Sequence, residues 1–285
     1  MKRLWTTFRY TLSSLRGSIL GWGLGLGAYG LMIVGMYESF AGRGATFQQM
    51  IASYPPEFLA FFGATVDSML TPDGFLRMYA FSMLPVIIGI FAVMAGSGLI
   101  VHDEERGRLD LIVAHPVGRS AFFFGRLLGL LAAAVLIHLL AWLGFGLLLG
   151  GSTLGYSLGE MLVPFLPLLV QTLVYAALAL ILSLLLPSRN LAAMVTGLLM
   201  VTSYMVSSLG FMDDRLLTLS KFMPYAYFQT VLSFKELNLG WLFALLGVSA
   251  LMVVVAWWRF VRRDIRLSGE GSWRLPFLAK RKRTA

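Results

Sequence analysis

The chain contains no cysteine, so it can form neither a disulfide framework nor a thiolate metal site. Charged residues are also scarce. They make up 13% of the 285 residues, whereas hydrophobic residues make up 58%. A soluble globular domain is usually about half apolar and about a quarter charged. Water cannot cover this much apolar surface, so the composition predicts a protein embedded in a lipid bilayer.

Motifs for nucleotides and catalytic zinc are missing from the sequence as well. It has no G-x-x-x-x-G-K-[ST] P-loop and no H-E-x-x-H. Residues 25–30 fit G-x-G-x-x-G, but they lie in an uncharged apolar run, whereas a dinucleotide site needs a strand before the motif and a helix after it. We interpret the pairs Gly21/Gly25 and Gly23/Gly27 as small residues that allow close helix packing.

The apolar residues form six runs long enough to cross a membrane. A bilayer core of about 30 Å needs roughly 20 apolar residues in a helix. The expected fold is therefore an all-α membrane protein, one domain over residues 1–285, in which the first run is a retained span and not a removed signal peptide. The predicted spans are residues 18–37, 79–101, 121–149, 161–186, 191–212 and 240–258.

The basic residues are divided unequally between the two sides that six spans define. One side holds both termini and the second and fourth connections, with eighteen of the 23 Lys and Arg residues, nine of them in the basic tail 259–285. Arg126, near the start of the third span, is counted on that side because it can snorkel to the interface. The other side holds Arg43, Arg77, Arg215, Lys221 and Lys235. The positive-inside rule thus predicts that both termini are cytoplasmic.

Two segments on the predicted outer side are semi-apolar, which is unlike free linkers. Residues 38–78 contain Pro55 and Pro56, and Pro56 with Glu57 suits the first turn of a helix. Residues 213–239 contain Pro224. We expect short helices in the outer leaflet from both segments.

The most informative segment is the connection between the second and third spans, residues 102–120. Acidic residues lead it, which suits a helix N-terminus. Leu109, Ile112 and Val113 then form one apolar stripe, Pro116 ends the helix, and Ser120 can cap the third span. Periodicity alone leaves two readings of this short helix: a partner protein covers the stripe, or the stripe lies on lipid headgroups.

This segment resembles the signature loop of ATP-binding-cassette (ABC) type-2 permeases. Further similarities are residues 74–76 before the second span, 188–190 between the fourth and fifth, Pro224-Tyr225 before the sixth, and a basic start, residues 2–16, like the family's N-terminal interface helix. His115 departs from the pattern, because a small residue is common there. The loop matches at Glu104, Glu105, Gly107, Leu109, Leu111, Pro116, Arg119 and Ser120.

The resemblance implies a permease subunit of an exporter in the plasma (inner) membrane of a prokaryote. The loop helix would be a coupling helix that docks on a separate ABC ATPase. Two ATPases and a second permease copy, identical or homologous, would complete the transporter, with ATP and Mg held by the ATPase. No catalytic residue, metal, cofactor or nucleic acid is expected for this chain. The coupling residues would be Glu104, Glu105, Gly107, Leu109, Ile112, Val113, Pro116 and Arg119.

A substrate pathway between two permease copies would be mostly apolar, which suggests an apolar or amphipathic cargo. The few polar residues of the spans that could line it are Gln171, Thr172, Tyr175, Thr202, Ser203 and Tyr204. His138 lies deep in the third span, and we expect it to hydrogen-bond to a neighbouring helix. A single buried histidine supports a proton-coupled carrier only weakly.

Two other functions remain as alternatives. An intramembrane protease of the Glu-Glu-x-x-x-Arg type would need arginine where the chain has Leu109. A secondary carrier or channel would not need the coupling loop and would favour buried charges.

For the tail beyond Trp258 we expect attachment to anionic headgroups, or only a role in orientation.

Overall fold

The computed structural model describes residues 2–41, 44–69, 71–107, 118–229 and 237–263, and the architecture is all-helical. Within these residues, six helical stretches are long and apolar enough to cross a membrane, which confirms the predicted number of spans. The third stretch is the longest, with 33 residues. From the first to the sixth span they are Arg16–Phe40, Pro72–Gly98, Arg119–Gly151, Leu158–Leu185, Arg189–Leu209 and Leu239–Arg262.

The fourth span lies at the centre of the bundle. In its apolar stretch of 18 residues, 67% is buried inside the bundle, whereas the corresponding share for the sixth span is 17%. It packs on the second, fifth and sixth spans, while the first span packs mainly on the third. The fourth span begins with a short helix, Leu158–Leu162, whose capping box joins Ser157 and Glu160, and continues as Phe165–Leu185.

The N-terminal helix, Lys2–Ser14, packs along the start of the third span. Two glycines of that span make the close approach possible. A Cβ added at Gly125 would lie 2.7 Å from Cβ of Thr7, and one at Gly129 would lie 2.6 Å from Cβ of Thr11. The basic start of the chain is therefore part of the packed bundle.

The glycines of the first span divide between a packed and an open face. Gly23 and Gly27 contact the third span, where the Cα of Gly27 is so close to Gly144 that no side chain fits between them. Among the residues that the structure describes, nothing lies within 4 Å of a Cβ added at Gly21 or Gly25. The packing interpretation is therefore right for Gly23 and Gly27 and wrong, within this chain, for Gly21 and Gly25.

Short helices occur in both segments of the predicted outer side. The segment before the second span contains Gly44–Ala52, Pro56–Phe61 and Val66–Met69, and Pro56 is indeed a first-turn residue after Pro55. The segment before the sixth span contains Asp214–Ser220, which begins after a side-chain cap from Asp213, and a single 3-10 turn, Pro224–Tyr227.

The second span is irregular near its start. A helix at Pro72–Leu76 runs into a π-helical turn, Arg77–Phe81, and a regular helix follows at Leu84–Gly98. Pro85 has no N–H to donate, so the helical hydrogen-bond pattern is interrupted here. Tyrosines from other segments bond to nearby carbonyls instead. The Tyr29 hydroxyl donates to the carbonyl of Tyr79, and the Tyr225 hydroxyl donates to that of Ser82 at 2.7 Å.

We predict that Gly144→Ala destabilises the bundle by about 1–3 kcal/mol, because the new methyl group would overlap the backbone of Gly27. Gly25→Ala is the matched control, since it changes the same residue type on the open face of the first span. Thermal unfolding in detergent should show a lower Tm for Gly144→Ala and no loss for Gly25→Ala. Equal Tm values would show that the first and third spans do not pack as described.

Candidate functional site

The residues after the second span form a short helix, Val101–Glu105, and Gly107 follows two residues after its end. Gly107 has φ +64°, a left-handed conformation that suits glycine and ends the helix. The acidic residues therefore belong to this short helix, and most of the helix that we predict from about Glu104 to His115 lies outside the described residues. Leu109, Ile112, Val113 and Pro116, which we predict to belong to the coupling helix, lie outside the described residues.

Asp103 forms a buried ion pair with Arg126 of the third span. The Cζ atom of Arg126 also lies 5.1 Å from the ring centroid of Tyr10 and 5.3 Å from that of Phe122. The Arg126 side chain therefore does not snorkel to the interface but points into the bundle. The pair joins the end of the second span, the start of the third and the N-terminal helix.

Glu104 forms a second buried ion pair, with Arg263 directly after the sixth span. Arg263 also donates a hydrogen bond from Nη1 to the carbonyl oxygen of Leu184, at the end of the fourth span, at 3.2 Å. The sixth helix therefore continues beyond its predicted end at residue 258, and the first residue after it is held inside the bundle. The rest of the basic tail, residues 264–285, lies outside the described residues.

Glu105 joins the same region to the start of the fifth span. Its Oε1 accepts a hydrogen bond from the backbone N–H of Arg189 at 3.1 Å. A carboxylate at a helix N-terminus is favourable, because the first N–H groups have no partner within the helix. The Arg189 guanidinium lies 2.8 Å from Nδ1 of His102. We call Asp103, Glu104, Glu105, Arg126, Arg189 and Arg263 the ion-pair cluster.

The far end of the connection is also attached to the sixth span. Nη1 of Arg119 donates to the carbonyl oxygens of Val261 at 2.9 Å and of Arg263 at 2.7 Å. These carbonyls lie at a helix C-terminus, where a cation is stabilising. The prediction that Ser120 caps the third span is wrong. The N-cap is Gly118, and the Ser120 hydroxyl accepts from Nε1 of Trp257 at 3.1 Å.

The polar residues predicted to line a pathway separate into two groups. Gln171, Tyr175, Ser203 and Tyr204 are buried where the fourth and fifth spans meet. Ser203 accepts from the backbone N–H of Tyr225 at 3.0 Å. Thr172 is buried beside the third span, whereas Thr202 is exposed on the outside of the bundle.

His138 contacts a neighbouring helix, as predicted. Its Nε2 lies 3.3 Å from Oγ1 of Thr172 in the fourth span, and its Nδ1 lies 2.8 Å from the carbonyl oxygen of Ala134. Both ring nitrogens have polar neighbours, so a structural role accounts for this residue.

Sequence reasoning did not predict the ion pairs formed by Asp103 and Arg263 or the inward orientation of Arg126. One signal was present in the sequence, because a charged residue inside a membrane span normally pairs with another charge. The identity of the partner depends on which faces of the helices meet, and the sequence does not show this.

Six membrane-length helices among the described residues define the chain as a multi-pass membrane protein. Buried charged residues attach the connection after the second span to the third, fifth and sixth spans. The sequence matches the ABC-2 family transporter protein family over residues 21–265, which is most of the chain. The chain therefore belongs to the ABC-2 transporter family, and the resemblance to ABC type-2 permeases is confirmed. No curated protein sequence matches it.

We predict that Asp103→Ala destabilises the protein by about 3–5 kcal/mol, because it leaves the buried Arg126 without its partner. The double variant Asp103→Leu/Arg126→Met should recover most of this loss, since an apolar pair can replace a buried ion pair. Unfolding in detergent measures both effects, with Asp67→Ala, at an exposed carboxylate, as the control. A double variant as unstable as the single one would argue against the pair.

Proposed function

We propose that the chain is the membrane-spanning permease subunit of an ATP-driven exporter. It would work with two copies of a separate ABC ATPase, which hold ATP and Mg, and with a second permease copy, identical or homologous. The transporter would lie in the plasma (inner) membrane of a prokaryote, with both termini of this chain in the cytoplasm. The family membership supports the permease role, and the charge distribution supports the orientation.

The observation that carries the coupling mechanism is the ion-pair cluster. Asp103, Glu104 and Glu105 attach the start of the connection to the third, sixth and fifth spans. Arg119 attaches its end to the sixth span. A force applied between residues 106 and 118 therefore acts on several spans at once. This is what a connection needs if an ATPase is to tilt the permease helices.

The docking surface itself would be the apolar stripe of Leu109, Ile112 and Val113. Glu104 and Arg119 are occupied by contacts within the bundle, so they act in this proposal by positioning the connection. Glu105 is shared with the backbone of Arg189. The ATPase would thus bind mainly by covering apolar side chains. The stability of each transport state can change only by the difference between the contacts that it makes.

We predict that Leu109→Asp/Ile112→Asp abolishes binding of the ATPase while the chain still inserts. Two carboxylates in an apolar groove cost several kcal/mol unless they are paired. The measurement is co-purification of the ATPase from membranes, together with transport-linked ATP hydrolysis. Leu109→Met/Ile112→Val is the control at the same positions, because these changes conserve apolar character. Normal co-purification of the Asp variant would remove the main support for the coupling helix.

The orientation can be tested by cysteine labelling, because the chain has no native cysteine. A membrane-impermeant maleimide added to intact cells should label Thr65→Cys, in the exposed segment before the second span, and should not label Asp110→Cys. After the membrane is permeabilised, both should react. The reverse pattern in intact cells would overturn the predicted topology.

A further inference from the structure

A cavity of about 230 Å³ lies at the end of the bundle opposite the ion-pair cluster. Its walls come from the segment before the second span and the start of that span, from the end of the fifth span, and from the segment that leads into the sixth. The other ends of these three spans carry the cluster. Aromatic side chains form much of the wall. It includes Phe61, Phe62, Phe211, Tyr225, Phe228 and Trp241.

One cation, Arg77, faces this aromatic cavity. Its side chain is half-buried, and its Cζ lies 5.4 Å from the ring centroid of Phe211. Within the part of the chain that the structure describes, no carboxylate pairs with Arg77 and no acceptor bonds to its guanidinium. At the opposite end, Arg126 and Arg263 each have a carboxylate partner. A desolvated guanidinium is costly unless an anion neutralises it, and one aromatic ring compensates only in part.

The backbone around Arg77 holds the guanidinium in this position. Arg77 begins the π-helical turn of the second span, and π-turns inside helices often occur at functional sites. Gly63, with φ +62°, lies beside the guanidinium, and a Cβ there would overlap Nη2 of Arg77. Gly63 therefore satisfies two requirements, a left-handed backbone and room for the cation.

Ser207 of the fifth span is a second polar group of the cavity wall, and it is 8% exposed. In the described part of the chain its buried Oγ has no hydrogen-bond partner. A buried hydroxyl normally has a partner, so this one is available to a bound molecule. Ser82, Ser220 and Gln229 also line the cavity, but their side chains already bond within the chain. Arg77 and Ser207 together supply a charged and a neutral donor to a bound molecule.

We propose that this cavity binds an amphipathic anion, a molecule with a carboxylate or phosphate head and an apolar chain. The head would bind the Arg77 guanidinium, which matches the geometry of both groups with two parallel N–H donors, and the Ser207 hydroxyl. The apolar chain would pack on the aromatic wall. A small hydrophilic anion does not suit the site, since it would leave that wall without apolar contacts. The proposal concerns binding by this chain and does not depend on the ATPase.

The test uses the purified full chain in a non-ionic detergent and omega-bromoundecanoate as the probe, because bromine quenches tryptophan fluorescence on contact. The chain has 7 tryptophans, of which Trp241 lines the cavity. The readout is therefore the saturable quenching that disappears in Trp241→Phe. Arg77→Gln should weaken this component about tenfold or more, as expected for loss of a charged hydrogen-bonding partner. Arg215→Gln, at an exposed arginine nearby, should leave it unchanged.

Two further arms define the ligand. The neutral omega-bromoundecanol should show no saturable quenching, and inorganic phosphate should not displace the probe. Ala226→Leu should weaken binding while Arg77 stays intact, because it fills part of the cavity, and this keeps the test valid if Arg77→Gln does not fold. Equal binding by wild type and Arg77→Gln, equal binding of the alcohol, or displacement by phosphate would overturn the proposal.

Discussion

The buried charges at one end of the bundle must be paired, and the arrangement of the spans at that end depends on this requirement. Three consecutive acids supply the carboxylates. Successive residues of a helix are rotated by about 100° from one another, because one turn takes 3.6 residues. Asp103, Glu104 and Glu105 therefore point in three directions, and they meet the third, sixth and fifth spans respectively. One short helix, Val101–Glu105, thus fixes three neighbours.

Along the membrane-spanning length the spans are held by a different interaction. Lipid tails are as apolar as leucine, so the hydrophobic effect does not drive helices together there and close packing has to do so. Small residues provide that packing. Gly27 meets Gly144, and Gly96 lies against the backbone of Ala176. Charge pairing therefore sets which helix ends meet, and small residues set how closely the helices approach.

The sequence predicted the spans because the signal for a span is local. A run of about 20 apolar residues is long enough to cross the bilayer whatever surrounds it. The same reasoning failed for Ser120. It also did not predict the short helix Val101–Glu105, which holds the acids and is followed by the turn at Gly107. Ser120 bonds to Trp257, which is distant in sequence.

The candidate site could be predicted only in part, for the same reason. The acids and Arg119 stood out because they resemble a known loop, but their partners Arg126 and Arg263 come from other spans. The pattern of glycines predicted close packing and did not tell which face is packed within the chain, which among the described residues is the face of Gly23 and Gly27. Contacts of this kind follow from the rotation of each helix about its own axis, which the sequence of a single helix does not fix.

The second span connects the two ends of the molecule. Asp103, directly after it, belongs to the cluster in which every carboxylate has a partner, and Arg77, near its start, faces the aromatic cavity.

Between these two residues the helix is not uniform. It is regular from Leu84 to Gly98, and it gives way to a π-helical turn at Arg77–Phe81. A regular helix transmits a displacement along its axis, whereas a π-turn beside a proline bends more readily because its hydrogen bonds are incomplete. The second span can therefore bend most readily at the end that carries Arg77. The cavity walls at that end also come from the fifth and sixth spans, which the cluster holds at their other ends. The same three spans thus carry the charged connection at one end and the cavity walls at the other.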